Sequence, residues 1–178
     1  MNYFIQFLTC FRIICGPFIF VSITFFNLYG FALFLFIFAS ASDYWDGFLA
    51  RKYKLESVLG SILDPIADKI LVTFLILALG IELSSAYIAL VGGMILVREF
   101  WVGALRDFNS RTGNLEATKV SFLAKIKTSI QFFTFVSFLV GLYINSALIL
   151  FISNFFLFLA LIITLQTGLS YTIASFRR

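Results

Sequence analysis

Four aspartates stand in two pairs, one near the end of an apolar run and one at the start of the next: Asp43 and Asp46 in SDYWDGFLAR, residues 42–51, and Asp64 and Asp68 in GSILDPIADK, residues 60–69. On a helix, residues three or four apart share a face. Each pair therefore points one way, and the basic connector between them brings the pairs face to face. Four carboxylates in one low-dielectric pocket repel each other and stay ionised only where cations hold them. Two hard divalent ions meet that need. Oxygen-only ligands, in a chain with no histidine, favour Mg²⁺, Mn²⁺ or Ca²⁺ over zinc. A carboxylate-held metal pair is suited to displacement at phosphorus. The bland alternative has the acids capping helix ends or pairing with Arg51 and Lys69.

The residues around the acids are small. Gly47 follows Asp46, Ala50 lies one turn after Asp46, and Gly60 lies one turn before Asp64. These positions let a bulky headgroup approach the backbone, although small residues also serve helix packing in membranes. Arg51 offers a planar fork for a phosphate oxygen that Lys does not reproduce. Pro65, between Asp64 and Asp68, is expected to disturb the helix and aim the two acids inward.

The elements that must carry these side chains are membrane helices. Of 178 residues, 61% are hydrophobic and 12% charged, against about 25% charged in soluble domains. Several apolar runs reach the roughly 20 residues that a span requires. The fold class expected is all-α, a polytopic membrane protein with about six transmembrane helices near 4–26, 31–50, 59–81, 85–106, 120–143 and 147–172, forming one membrane-embedded unit over 1–178. The first run lacks the pattern of a cleaved signal peptide and reads as a retained helix. Cys10 and Cys15 read as packing residues. Lys and Arg gather in the second and fourth connectors and at Arg177 and Arg178, so both termini and these two loops are expected in the cytoplasm. The basic loops also suit anionic lipid.

Taken together, Asp43-x-x-Asp46-Gly47-x-x-Ala50-Arg51, eight residues, and Gly60-x-x-x-Asp64-x-x-x-Asp68 resemble the CDP-alcohol phosphotransferase signature at every specified position. Eight positions at about 5–7% usage each coincide by chance on the order of once in 10¹⁰ starting points. The resemblance implies six membrane helices and transfer of a substituted phosphoryl group from a CDP-linked donor to an alcohol, with release of CMP. It implies that Asp43, Asp46, Asp64 and Asp68 hold two Mg²⁺ or Mn²⁺ ions and that Gly47, Ala50, Arg51 and Gly60 border the cytidine diphosphate. It also implies that Asp68 deprotonates the attacking hydroxyl and that the protein is a homodimer.

Further stretches, LTCFR at 8–12, LDPIADK at 63–69, REFWVGALR at 98–106 and KIKTSIQ at 125–131, are similar to the branch of that family that moves a phosphatidyl group from CDP-diacylglycerol to glycerol 3-phosphate. A dianionic acceptor needs a positive pocket, and Arg98 with Lys125 and Lys127 would supply one. Arg106, two turns beyond Arg98, either joins them or marks the membrane surface. Glu99 reads as a structural partner of a nearby Arg. Thr9 is placed on the nucleotide side of the pocket, with Arg12 beside it and counted among the basic residues available to the acceptor phosphate, unless Arg12 merely snorkels. Gln6 and Ala124 depart from the family pattern, which bears on specificity, and the last span carries no motif. A cardiolipin synthase of the same family is one alternative, and an intramembrane ion or proton transporter is an alternative of another class. No nucleic-acid partner is expected; the expected location is a bacterial cell membrane, with the site open to the cytoplasm and sideways to lipid.

Overall fold

In hydrocarbon a backbone without water must satisfy its own polar groups, which long apolar runs do as helices. The computed structural model describes residues 2–53, 58–114 and 122–176, with side chains described at 7–43, 45, 63–114 and 122–176. Six helices occupy them: α1 (Asn2–Thr24), α2 (Tyr29–Tyr53), α3 (Val58–Glu82), α4 (Ala86–Thr112), α5 (Phe122–Tyr143) and α6 (Ala147–Phe176). No strand occurs among the described residues. Phe7–Thr24 of α1 and the whole of α4, α5 and α6 are long and apolar enough to cross a membrane, whereas the apolar part of α2 is the shorter Tyr29–Asp43. The two helices outside that group, α2 and α3, are the ones that carry the aspartates. The chain is a six-helix integral membrane protein.

Helix ends follow from local chemistry. Asn27, Ser84 and Asn145 adopt positive φ values of 53°, 45° and 51°, the left-handed conformation that closes a helix and that short polar side chains tolerate. After α3 and α5 the turn is completed by Ser85 N–H donating to Gly80 O at 3.0 Å and Ser146 N–H to Gly141 O at 2.9 Å. Ser85 then caps α4, its side chain accepting from Ile88 N–H. α4 runs to Thr112, beyond the expected 106, because nothing in ALRDFNSRT stops a helix. Gly113 does, at φ 75°. One expectation is corrected here. α3 continues without interruption through Pro65, as α1 does through Pro17, so Pro65 does not break the helix between Asp64 and Asp68.

The principal helix contacts close a ring in the order α1, α3, α4, α6, α5, α2 and back to α1. Short turns make sequential helices antiparallel, and polar contacts mark the two ends. Tyr29 of α2 donates to Glu82 of α3 at one end, and Arg12 of α1 meets the aspartates of α2 and α3 at the other. An apolar core drawn from all six helices lies between, including Ile19, Phe36, Leu75, Ile95, Phe138 and Leu157. Small residues permit the close crossings: a Cβ on Gly92 of α4 would lie 2.3 Å from Ile76 Cγ2 of α3, and one on Gly16 of α1 would lie 3.2 Å from Ile70 Cγ2. Cys15 is buried and Cys10 exposed, both as free thiols. Many Phe, Ile and Leu side chains face outward, as a lipid-facing surface requires.

Candidate active site

The i, i+4 spacing of Asp64 and Asp68 and the late position of Asp43 on α2 deliver three carboxylates to one place. They meet at Arg12, one turn after Thr9 on α1. Arg12 Nη1 donates to Asp68 Oδ1 at 2.7 Å and to Asp43 Oδ1, and Nη2 donates to Asp64 Oδ1 at 3.0 Å. Thr9 Oγ1 donates to the same Asp64 oxygen at 2.7 Å. The guanidinium is fully buried, whereas the aspartate side chains are 48%, 38% and 53% exposed for Asp43, Asp64 and Asp68. Arg12 is thus a floor, and the acids form a rim that opens outward.

Among the described residues the acids pair with Arg12 rather than with Lys69. Lys69 follows Asp68 in sequence but lies about 100° round the helix. Its Nζ reaches α4, 5.0 Å from the centroid of the Phe100 ring and beside Gly103, whose Cβ would come within 2.7 Å of it. Arg12 is not a snorkelling residue, being wholly enclosed. Asp46, Gly47, Ala50 and Arg51 lie on α2 and Gly60 on α3, but their side chains fall outside the described residues.

The donor set suits a hard divalent ion. The three Oδ1 atoms turn to one cationic group, and no described residue donates to the three Oδ2 atoms. Among the described residues, however, no three carboxylates form a ready-made ligand set, and their Oδ1 atoms are taken up by Arg12. Bound metal would have to share these carboxylates with the guanidinium or shift it.

A second polar cluster lies on α4, α5 and α6. Arg98 and Lys127 are both 7% exposed, and one carboxylate serves both. Glu99 Oε1 accepts from Arg98 Nη1 at 3.1 Å and from Lys127 Nζ. Glu99 is thereby the ion-pair partner read from the sequence. Arg98 Nη2 donates to Thr167 Oγ1 at 2.6 Å. Arg106 is exposed and joins the cluster through Tyr171, whose ring centroid lies 5.9 Å from the guanidinium carbons of both Arg98 and Arg106. Lys125 is exposed. With Arg98, Arg106 and Lys127 against Glu99, the cluster is cationic among the described residues.

Reading the last span as free of motif passed over Thr167 and Tyr171. A signal was present: Thr164, Thr167, Gly168, Tyr171 and Ser175 are polar or small and recur at three- and four-residue steps along one face of the span, with Ser153 three turns before them. All are buried. Asn109 of α4, fully buried, extends this seam by donating to Ser175 Oγ at 2.7 Å.

Comparison with known proteins points to one family. Residues 5–166 match the CDP-alcohol phosphatidyltransferase family. The chain is 35% identical over 126 residues to the CDP-diacylglycerol–glycerol-3-phosphate 3-phosphatidyltransferase of Wigglesworthia glossinidia brevipalpis, covering 70% of this chain and 69% of that protein. Proteins of the same name from Yersinia pestis (strain Pestoides F) and Sodalis glossinidius (strain morsitans) are 35% and 33% identical over 97 and 105 residues. Those alignments cover 54% and 59% of this chain and 53% and 58% of the relatives, so the chain spans between about half and two thirds of the relatives it matches. With nearly the whole chain inside the family's boundaries, the chain belongs to the CDP-alcohol phosphatidyltransferase family.

Proposed function

We propose that this chain transfers the phosphatidyl group of CDP-diacylglycerol to glycerol 3-phosphate, giving phosphatidylglycerol phosphate and CMP. The observation that carries the reading is a pairing of two unlike sites. Carboxylates gather at the junction of α1, α2 and α3, and a buried cationic pair, Arg98 and Lys127, stands on α4 and α5. Three relatives bearing that activity in their names support it.

In this reading Asp43, Asp46, Asp64 and Asp68 hold two Mg²⁺ or Mn²⁺ ions. Such ions supply neutralisation of the donor's pyrophosphate and of the charge that grows on the departing CMP. Gly47, Ala50, Arg51 and Gly60 border the cytidine diphosphate, with Thr9 on the same side. Arg12, beneath the rim, holds the acids together. Asp68 accepts the proton of the glycerol 1-hydroxyl. Arg98 and Lys127, helped by Arg106 and Lys125, fix the acceptor's phosphate so that the hydroxyl approaches in line. Arg51, Lys52 and Lys54 follow Asp43 and Asp46 in the sequence, and this excess of basic residues supports a site at the cytoplasmic face of a bacterial membrane, open to soluble acceptor and to lipid. One catalytic unit spans 1–178, and it acts as a homodimer.

The experiment is CMP release by the purified protein in detergent, with CDP-diacylglycerol and Mg²⁺ and with glycerol 3-phosphate, phosphatidylglycerol, inositol phosphate or serine in separate reactions. Release dependent on glycerol 3-phosphate is expected. Release with phosphatidylglycerol alone would instead make it a cardiolipin synthase.

A further inference from the structure

Three residues of α6 close on one guanidinium. The Thr167 hydroxyl accepts from Arg98 Nη2 at 2.6 Å and has its own proton directed to the helix backbone, with Ile163 O at 2.8 Å and Thr164 O at 3.0 Å. A hydroxyl has one proton and two lone pairs. Engaging the proton on the helix leaves the lone pairs to Arg98. One turn away, the buried Tyr171 ring lies 5.9 Å from both Arg98 and Arg106, within reach of a cation–π attraction.

Gly168 sits between the two. A Cβ there would lie 3.0 Å from Arg98 Cγ and 3.1 Å from Arg98 Nε, so a side chain at this position would crowd the Arg98 stem where it runs along α6. On its other side Arg98 is held by Glu99 at 3.1 Å. Its Nε is buried and donates to no group among the described residues. A guanidinium with five donors is thus fixed in pose from two sides while its donors are incompletely used. In an otherwise lipid-like helix, that is costly unless an anion completes the set.

We infer that Thr167, Gly168 and Tyr171 are positioning residues of the acceptor subsite: they hold Arg98 and Arg106 in the pose that takes a phosphate monoester and thereby favour phosphorylated acceptors over neutral polyols. The inference rests on the proposed reading of Arg98 and Lys127 as acceptor-phosphate ligands. Contact with the acceptor belongs to the two arginines, and α6 acts through them.

The test measures CMP release by the full chain in detergent, varying glycerol 3-phosphate and CDP-diacylglycerol separately. Thr167→Val keeps the shape and removes the acceptor for a charged donor. It should raise KM for glycerol 3-phosphate roughly tenfold and leave kcat and the KM for CDP-diacylglycerol within about twofold. Thr167→Ser should restore it. Tyr171→Leu should act in the same direction and Tyr171→Phe should not, which poses the question again should Thr167→Val fail to fold. Unchanged KM in a folded Thr167→Val protein, or equal losses in both KM values and kcat, overturns the assignment. Arg98→Met separates the two levels. If it raises KM for glycerol 3-phosphate while Thr167→Val and Tyr171→Leu do not, the α6 assignment alone falls; if Arg98→Met leaves that KM unchanged, the acceptor subsite falls and the α6 assignment with it.

Discussion

Arg12→Met is the most informative perturbation of the acid cluster. Arg12 is fully buried and, among the described residues, serves three carboxylates that are 38% to 53% exposed. Removing one partner of a fully buried ion pair costs about 3–5 kcal/mol, and an exposed pair is worth about 0–1 kcal/mol. A buried cation facing half-solvated acids falls between, near 2 kcal/mol. For a chain of this size each 1 kcal/mol moves the unfolding midpoint by roughly 2–4 °C. In EDTA, Arg12→Met should therefore melt about 4–8 °C below the parent, followed in detergent by the fluorescence of Trp45 and Trp101, the two tryptophans of the chain. Methionine fills much of the arginine's volume, so the loss is chiefly one of charge. Adding Mn²⁺ should narrow the gap, because the variant's acids lack their internal cation and gain more from an external one. A gap that is the same in EDTA and in Mn²⁺ would refute the reasoning, since Arg12 would then be packing α1 rather than neutralising the acids.

Other outcomes follow from the same geometry. Asp68→Asn should abolish CMP release while the protein stays folded and still binds CDP-diacylglycerol in a flotation or quenching assay; full activity would remove Asp68 as the base. Lys127→Met should raise KM for glycerol 3-phosphate at least tenfold, the scale of a lost charge-assisted hydrogen bond, with KM for CDP-diacylglycerol unchanged. Gly92→Ala should cost about 1–3 kcal/mol, because its Cβ would press on buried Ile76, whereas Gly93→Ala should be silent, as nothing lies within 4 Å of a Cβ there; thermal midpoints of the two variants give the comparison.

Much of this was legible in the sequence because membrane helices are written in long apolar runs and short polar turns. Asn27, Ser84 and Asn145, the residues that adopt positive φ, stand in or beside connectors visible from composition alone. The convergence of Asp43, Asp64 and Asp68 follows from helical spacing and an antiparallel hairpin. What spacing did not reveal was the cation among them. Lys69 is nearest in sequence but faces α4, and Arg12, from another helix, lies at the matching depth. The role of α6 stayed hidden for a related reason: Thr167 and Tyr171 have no charge of their own and matter through Arg98, 69 residues away in sequence from Thr167. Pro65 was expected to disturb α3, and the helix runs on through it; a proline inside a membrane helix is tolerated where neighbouring groups satisfy the freed carbonyl.

The central claim is that the aspartates form the metal centre at which phosphatidyl transfer takes place, and Mn²⁺ binding tests it most directly. Mn²⁺ titrated into the purified protein with CDP-diacylglycerol, and followed by electron paramagnetic resonance, should saturate at about two ions per chain. Asp43→Asn, Asp64→Asn and Asp68→Asn should each lower that number or weaken the affinity, and Glu99→Gln should leave both unchanged. Binding that survives loss of the aspartates, or that follows Glu99 instead, would contradict the account.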